Sequence, residues 1–258
     1  MTRKPRMVKS DQNMFSILES ISNSDGITLT EISDETGLAN SSVHSHLSTL
    51  EIFGLVSKDN KEYRLGLRFL EYGDIAQRQQ KLYRVASDMI DQLANKTNEK
   101  VWCFIEENGQ AVYLYGSQGD HSIKTYARQG QRTGLHHVAG GKSILAFLPS
   151  ERVDEIIQQH GLPSVTENTI TDRSDLFIEL DKIRERGVAF NHEESVIGLH
   201  AIGAPIKHNG HIFGSISISG PANRLSVDRM ETDLTDTLLG FTNEVEINLR
   251  YDNSSYLP

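Results

Sequence analysis

The stretch "TLTEISDETGLANSSVHSHLSTLEIFGLV", residues 28–56, has the pattern of two short helices separated by a tight turn. Thr28 and Glu31 have the spacing of a capping box, in which the hydroxyl accepts a hydrogen bond from a first-turn amide and the carboxylate reaches back to the cap. A helix should therefore begin there, and Gly37 can end it in the left-handed conformation. A second helix is expected over residues 40–53. Two helices joined in this way make a helix-turn-helix unit.

The second helix of this pair has one apolar face and one polar face. At about 100° per residue, Val43, Leu47 and Leu50 fall on one stripe, which should be buried. The opposite face carries small or neutral groups that can form hydrogen bonds with base edges or phosphates. The alternative is a solvated surface in a small helical domain. The candidate DNA-contacting residues of this helix are Ser41, Ser42, His44, Ser45, Ser48 and Thr49.

The next segment, "GLVSKDNKEYRLG" (residues 54–66), alternates around a charged turn and predicts a short β-hairpin. A hairpin at this position makes a winged helix, and the wing of such a module commonly contacts the DNA backbone. The cations available for this contact are Lys58, Lys61 and Arg64.

A helix is also predicted ahead of the pair, in "SDQNMFSILESIS" (residues 10–22). Ser10 or Asp11 is its expected cap. The side chains expected to pack inward are Met14, Phe15, Leu18 and Ile21. Three helices and a hairpin complete a winged-helix module.

Length and composition limit the possible classes of protein. The chain has 258 residues, of which 37% are hydrophobic, and this fits two domains of ordinary size with real cores. Its single cysteine, Cys103, excludes an intrachain disulfide. No apolar run approaches the roughly 18 residues of a membrane helix. The basic N-terminal stretch is not followed by the apolar h-region of a signal peptide. We therefore expect a cytoplasmic protein that does not act at a membrane.

Charge is distributed unevenly along the chain, whose formal net charge is -9. Between residues 28 and 65 six acidic side chains outnumber three basic ones, the reverse of a typical nucleic-acid-binding module. Residues 1–10 could compensate as a basic arm that follows phosphates or enters a minor groove. The alternatives are an inert tail, or a protein that works at high ionic strength, where neutral contacts carry more of the affinity. The cations of the arm are Arg3, Lys4, Arg6 and Lys9.

Beyond the wing the sequence changes to a long helical pattern and then to a mixed one. Residues 67–80 should form a linker helix, and residues 81–258 alternate strands and helices. The Asn-Gly pairs at 108–109 and 209–210 each lie between apolar runs and predict β-hairpins. We expect an antiparallel sheet flanked by helices, which is an α+β sensor-like domain.

The helices of this second domain have recognisable ends. "GGKSILAFLPSERVDEIIQQHG" covers two helices, the second capped by Ser150, and "TDRSDLFIELDKIRERG" covers a third, capped by Thr171 and ended by Gly187. A last helix closes the chain. The expected organisation is a basic arm (1–10), a winged helix-turn-helix domain (11–66), a linker helix (67–80) and an α+β domain (81–258).

After a winged helix and a linker helix, the chain carries "GLHHVAGGKSILAFLP", "IRERGVAFNHEES", "GLHAIGAPI" and "GSISISGPANRL" in that order. This ordered set resembles the IclR family of transcriptional regulators over about residues 11–250. The resemblance implies a GAF-like domain that binds a small organic effector, usually an acid or an aromatic metabolite. It also implies a homodimer or homotetramer that places paired winged helices on double-stranded DNA to regulate catabolic genes.

The resemblance also implies a set of effector-binding residues. Free N–H groups at a helix start and two strand hydroxyls, two residues apart on one face, could together hold a carboxylate. Many family members have arginine and cysteine where this chain has His200 and Ala201, and an acidic residue where Asn191 stands. These departures change the ligand chemistry to be expected, and His200 could make affinity depend on pH. The implied residues are Ala139, Gly140, Asn191, His200, Ala201, Ser217 and Ser219.

No catalytic or metal site can be assembled from the sequence. "GGKS" resembles the end of a phosphate-binding loop, but His136 stands where that loop needs a glycine. Adjacent His136 and His137 would point to opposite faces of a strand, and His44 and His46 do not face one another on a helix. Cys103 lies in an apolar run typical of a strand. We therefore expect a regulator without enzymatic activity, metal or cofactor; the alternative is a small-molecule enzyme or sensor with an accessory winged helix for protein contact.

Overall fold

The computed structural model of the chain describes residues 7–120, 122 and 127–251. The chain divides into two compact units, Met1–Ala76 and Gln77–Pro258, which we call the N-terminal unit and the C-terminal unit. Each unit has a hydrophobic core of its own.

The N-terminal unit is the predicted winged helix-turn-helix. Its elements are α1 (Lys9–Ser22), β1 (Ile27–Thr28), α2 (Leu29–Thr36), α3 (Asn40–Ile52), β2 (Val56–Asp59), β3 (Glu62–Leu65) and the start of α4 (Arg68–Gln79), the expected linker helix. The sheet has the order β1-β3-β2 and is antiparallel. The sequence did not indicate β1, because two residues are too few to show an alternating pattern.

The helix-turn-helix has the local geometry that its sequence predicts. Thr28 Oγ1 accepts from the Glu31 amide at 3.4 Å, and Glu31 Oε2 accepts from the Thr28 amide at 2.8 Å, so the capping box is confirmed. Gly37 ends α2 with φ of 68°. The predicted stripe of α3 is buried in the core: Val43, Leu47 and Leu50.

Helix α1 differs from its predicted form in two respects. It begins at Lys9 with Val8 at the N-cap, and no side chain caps it, so the proposed caps Ser10 and Asp11 were wrong. Phe15, expected inside, is 60% exposed, whereas Ile17 is fully buried. The buried stripe therefore runs through Ile17 rather than Phe15.

The C-terminal unit is built around a six-stranded antiparallel sheet of order β6-β5-β4-β9-β8-β7. Its strands are β4 (Lys100–Glu107), β5 (Gln110–Gln118), β6 (Arg132–Gly134), β7 (Ala189–His192), β8 (Leu199–His208) and β9 (His211–Pro221). Its helices are α5 (Lys81–Thr97), α6 (Ala139–Leu145), α7 (Ser150–His160), α8 (Arg173–Arg186), α9 (Val227–Arg229) and α10 (Thr235–Tyr251), with a 3-10 turn at Leu135–His137 and a π turn at Met230–Leu234.

Both predicted Asn-Gly hairpins are confirmed. Asn108 and Gly109 join β4 to β5 with φ of 54° and 80°, and Asn209 and Gly210 join β8 to β9 with φ of 51° and 77°. Positive φ at both central residues is the type I′ geometry, whose twist matches that of paired strands.

Two of the predicted helix caps in this unit were wrong by one residue. Helix α7 has Pro149 at the N-cap and Ser150 as its first residue. Helix α8 is capped by Asp172 rather than Thr171, since the Asp172 carboxylate accepts from two first-turn amides at 2.7 and 3.2 Å. Gly187 ends α8 with φ of 81°, as expected.

Helices cover both faces of the sheet, and alternate residues of β4 show how the faces are assigned. Val101 and Cys103 pack in the cluster that contains α5 and α10. Trp102 and Phe104 pack in the cluster that contains α6, α7 and α8. The predicted α+β architecture is thus confirmed, and the face of Trp102 carries the cavity described next.

Candidate functional site

The polar face of α3 is accessible in the N-terminal unit. Ser41, His44, Ser45 and Thr49 are exposed, and Ser42 and Ser48 are half-buried. Ser45 Oγ donates to the Ser41 carbonyl at 2.9 Å, and Thr49 Oγ1 donates to the Ser45 carbonyl at 3.0 Å. These hydroxyl protons are therefore engaged within the helix, and the lone pairs remain free to accept from a base edge or another donor.

The cations of the wing differ in how freely they could contact a phosphate. Lys61 is exposed in the turn between β2 and β3. Lys58 Nζ lies 5.0 Å from the centroid of the Tyr63 ring. Arg64 donates to Glu62 and to the Asp25 carbonyl, each at 3.2 Å, so its charge is partly balanced. The arm residues Arg3, Lys4 and Arg6 lie outside the described residues.

The C-terminal unit contains a cavity of about 400 Å³ on the sheet face covered by α6. Three aromatic side chains make one wall: Trp102, Phe104 and Tyr113. Tyr113 lies 4.9 Å from the Trp102 ring and 4.5 Å from the Phe104 ring, between centroids. This wall offers an apolar aromatic surface to a small organic ligand.

Two hydroxyls of β9 face the cavity, as the sequence suggested. Ser217 and Ser219 both line it, since residues two apart in a strand share a face. Ser219 Oγ lies 3.5 Å from the Lys100 carbonyl, which is a long contact. Ala139, at the start of α6, and Ala201 of β8 complete this side of the lining.

Gly140 and Asn191 have positioning roles in the structure. Gly140 does not line the cavity; a Cβ there would lie 2.4 Å from Phe104 Cδ2. Asn191 does line it, but its Nδ2 donates to the His137 carbonyl at 2.7 Å and its Oδ1 accepts from the Glu194 amide at 3.1 Å. Asn191 therefore ties the segment before α6 to the loop after β7.

His200 is not among the residues of the cavity, contrary to expectation. Its Nδ1 lies 2.7 Å from the Leu225 carbonyl, and its ring packs against His192 with centroids 5.1 Å apart. Neighbouring residues of a strand point to opposite faces, so the placement of Ala201 in the lining puts His200 on the other side of β8. A role for His200 in ligand contact or in pH-dependent affinity at the cavity is thus not supported.

Sequence reasoning did not identify the loop that closes one side of the cavity. Residues 195–198 line it, and both Val196 and Ile197 are exposed. The loop begins after Glu193, which has φ of 64°, and ends at Gly198, with φ of 81°. These left-handed residues were the available signal, but only Gly198 can be suspected from residue type.

A buried ion pair supports the start of this loop. Lys142 of α6 is 1% exposed, and its Nζ lies 2.5 Å from Glu194 Oε1. Burial raises the pKa of Glu194, while Lys142 opposes that shift. Thr169 Oγ1 also donates to the Glu194 carbonyl at 2.7 Å. The chain is thereby fixed where β7 passes into the loop.

The described residues give little support for a metal site or for a reactive cysteine. Within residues 7–120, 122 and 127–251, no group of three or more His, Cys, Asp or Glu side chains could hold a metal ion. Burial raises the pKa of the Cys103 thiol to about 12, so the thiol stays protonated at neutral pH. In the same part of the chain, every helix is too short or too polar to cross a membrane.

Comparisons with known proteins agree with the two-unit architecture. The family described as IclR helix-turn-helix domain matches residues 12–60, and the family described as bacterial transcriptional regulator IclR C-terminal matches residues 76–245. A probable HTH-type transcriptional regulator ArcR of Halobacterium salinarum is 32% identical over 95% of both chains. The HTH-type transcriptional regulator KipR of Bacillus subtilis is 33% identical over 79% of this chain and 82% of its own.

A solved structure extends the likeness to three dimensions. The crystal structure of the IclR of Thermotoga maritima has a TM-score of 0.79 and 32% identity, covering 94% of this chain and 99% of that one. The chain therefore belongs to the IclR family of transcriptional regulators, with an N-terminal helix-turn-helix and the C-terminal domain of that family.

Proposed function

We propose that this chain regulates a catabolic or metabolic gene set by binding specific DNA through α3 and the wing, and that a small organic effector in the cavity controls that binding. The observation that carries the proposal is the cavity in the C-terminal unit, which combines an aromatic wall with two strand hydroxyls. The relatives ArcR and KipR are regulators, and we propose no catalytic activity for this chain.

The chemistry of the cavity favours an acidic or aromatic effector. Trp102 and Phe104 can stack on a ring or pack on an alkyl body, and Ser217 and Ser219 can donate to a carboxylate. An IclR homologue of Microbacterium hydrocarbonoxydans, 20% identical to this chain with a TM-score of 0.81, was solved in complex with 4-hydroxybenzoate. A ligand of that size is compatible with a cavity of about 400 Å³.

The exposed apolar side chains of the linker helix support a homodimer or homotetramer. Among the residues of α4 none is buried, and apolar side chains are exposed on it and just before it. Exposed apolar side chains grouped on one element commonly mark a protein interface. A second copy of the chain would cover Leu67, Phe69, Leu70, Tyr72 and Ile75.

A gel-shift titration of the full chain tests the proposal. The DNA is the region upstream of the chain's own gene, and the ligands are a panel of small carboxylic acids and phenols. We expect specific retention of this DNA and a change in retention with at least one ligand. Equal binding to unrelated DNA would contradict the proposed sequence specificity.

The Ser217→Ala, Ser219→Ala double variant links that response to the cavity. Each hydrogen bond to a charged group contributes about 1.5 to 3 kcal/mol, so effector binding should weaken by a few kcal/mol while DNA binding without effector persists. Ser150→Ala, at the exposed first residue of α7, is the matched control and should respond like the wild type. An undiminished response in the double variant would place the effector elsewhere.

A further inference from the structure

Lys100 of β4 lies beside the cavity on the same face of the sheet. It pairs directly with Ser219 across β4 and β9, while Trp102, two residues on, pairs with Ser217. Residues two apart share a face of a strand, and directly opposed residues share it too. Lys100 therefore lies on the same sheet face as the lining residues Trp102, Ser217 and Ser219.

The Lys100 ammonium has no carboxylate partner within the described residues. Its Nζ lies 4.4 Å from the centroid of the Trp102 ring, and the side chain is half-buried. Partial burial lowers the pKa of Lys100, because the charged form loses part of its hydration. Lys142, in contrast, is paired with Glu194.

Among the described residues, the cavity lining supplies no charge to a ligand. Its described lining contains no Asp, Glu, Lys or Arg side chain. His137 is neutral at pH 7 because burial, assisted by the neighbouring His136, lowers its pKa to about 4. Tyr113 remains protonated because burial raises its pKa to about 12. Among the described residues, the charge that could balance a charged effector therefore lies at the rim.

We propose that Lys100 is the residue that makes the cavity selective for a monocarboxylate over a neutral ligand of the same shape. The carboxylate would lie at the Ser219 end of the lining, accepting from the hydroxyl and from Lys100 Nζ, with its apolar body against Trp102 and Phe104. This inference rests on the proposed effector function and adds the charge of the ligand to it.

The Trp102 ring and a bound carboxylate are alternative partners for the Lys100 ammonium. The ammonium lies over the ring face, a favourable position for a partly desolvated cation. A bound carboxylate offers a stronger, charge-assisted partner and restores the stability of the charged form. Lysine has a flexible four-carbon chain, so its ammonium can change partners by rotation about side-chain bonds.

Calorimetric titration of the full chain with 4-hydroxybenzoate and 4-hydroxybenzamide, and with hexanoate and hexanamide, tests the inference. Each pair has one shape and differs in charge. The wild type should bind the acid of a pair more tightly than the amide. Lys100→Met should weaken acid binding about tenfold or more and change amide binding little, because one charge-assisted bond is lost.

Two further variants control for net charge and for folding. Lys207→Met also removes a cation that lies over an aromatic ring, 3.8 Å from the centroid of Phe147, but Lys207 pairs with Ile212 rather than with a serine of the cavity lining. It should bind both ligands like the wild type. Lys100→Arg keeps the charge and should keep the preference for the acid, which separates loss of charge from loss of packing.

The pH profile adds a readout that a purely structural role would not give. As pH rises through the lowered pKa of Lys100, the ammonium loses its proton, so binding of hexanoate to the wild type should weaken. Lys100→Met should lack this decline.

Three results would overturn the inference. Equal acid binding by the wild type and Lys100→Met would remove Lys100 from the site. Amide binding as tight as acid binding in the wild type, still lost in the Ser217→Ala, Ser219→Ala variant, would reject charge selection and leave the effector cavity in place. No heat with any of the four compounds would reject the ligand class of the proposed function, and this inference with it.

Discussion

At the scale of single residues, His137 is an unusual part of the cavity wall. Its Nε2 lies 3.1 Å from Thr133 Oγ1, and its Nδ1 is buried without a hydrogen-bond partner among the described residues. Its carbonyl accepts from Asn191, so its backbone is fixed. A neutral imidazole can occupy this place at neutral pH, but an imidazolium would be poorly solvated there.

Acid should therefore destabilise the C-terminal unit through His137. Its pKa falls from 6.5 to about 4 in the folded state, so the unfolded chain binds this proton first. This contribution to stability is complete above about pH 6.5 and is lost as pH falls towards about 4. At roughly 1.4 kcal/mol per pKa unit, its upper limit is about 3.5 kcal/mol. Urea unfolding at several pH values, on the wild type and His137→Gln, measures it.

The His137→Gln variant should lose most of this pH dependence, whatever its stability at neutral pH. His211→Gln removes an exposed histidine of β9 and should retain the wild-type profile. If both variants followed the same curve as the wild type, His137 would not be the group responsible.

Residue-level features were predictable where neighbouring residues determine them. Thr28 with Glu31 and the two Asn-Gly turns depend on interactions within four residues, and all three are confirmed. The cap of α8 failed because the adjacent Asp172, rather than Thr171, accepts from the first-turn amides. The cap of α7 failed because Ser150 lies one residue inside a helix that no side chain caps. His200 failed because a motif does not state which face of the strand each residue occupies.

At the scale of elements, the start of α6 is placed by direct backbone contact with β8. A Cβ on Gly203 would lie 2.6 Å from the Ala139 carbonyl carbon and 2.7 Å from the Gly140 amide nitrogen. Only a glycine in the strand allows the helix start to approach this closely. The position of Ala139 in the cavity lining depends on this contact.

Gly203→Ala should consequently displace α6, lower the stability of the fold and weaken ligand binding. Overpacking against backbone costs about 1 to 3 kcal/mol or more, because neither element can move independently. Gly240→Ala, in α10, is the control: its Cβ meets no atom within 4 Å, and better helix propensity should add up to about 1 kcal/mol. Thermal unfolding and effector titration compare the two, and a Gly203→Ala protein with wild-type values would refute the packing argument.

The exposed face of α3 predicts a separation between DNA affinity and stability. Changing Ser41, His44 and Ser45 to Ala together should lower specific DNA affinity by about 1 to 3 kcal/mol per lost base contact and leave the melting temperature nearly unchanged. Fluorescence anisotropy with specific and unrelated DNA measures the first effect. A Gln158→Ala, Gln159→Ala control changes exposed residues of α7 and should not alter binding. Full specific affinity in the triple variant would exclude this face.

Element types followed from sequence periodicity, but their assembly into a site did not. The helices, the hairpins and the row of Ser217 and Ser219 could be predicted from one segment each. The aromatic wall joins Trp102 and Phe104 of β4 with Tyr113 of β5, and only strand register brings these rings together. The place of Lys100 beside the cavity could not be predicted either. Its partner Ser219 lies 119 positions away in the sequence, and only the sheet pairs the two residues.

At the scale of the whole molecule, two units with separate cores must be thermodynamically linked if the proposed function holds. Linkage is reciprocal: an effector that changes DNA affinity by some factor must have its own affinity changed by DNA through the same factor. The magnitude can be measured on the full chain from either side. The cavity and the α3 face thereby become parts of one equilibrium, and loss of effector binding should remove the coupling without removing DNA binding.

The charge of the whole chain leads to a prediction about salt. The net charge is -9, Arg64 of the wing is partly balanced by Glu62, and the exposed candidate DNA-contacting residues of α3 carry neutral hydroxyls and an imidazole. Few phosphates would then be neutralised by the described residues, so the dependence of log K on log salt should be shallow. The basic arm becomes the main candidate for the remaining phosphate contacts.

Removing residues 1–6 tests the arm while leaving α1, which begins at Lys9, intact. Three cations are lost, Arg3, Lys4 and Arg6, and the salt slope should become shallower by up to about 0.9 for each phosphate contact removed. Replacing the same three with Gln in the full-length chain separates charge from chain length, and should give the same slope as the deletion. Binding titrations across a range of salt concentrations provide the slopes. Should all three proteins share one slope, the arm is an inert tail, and the affinity must come from α3 and the wing.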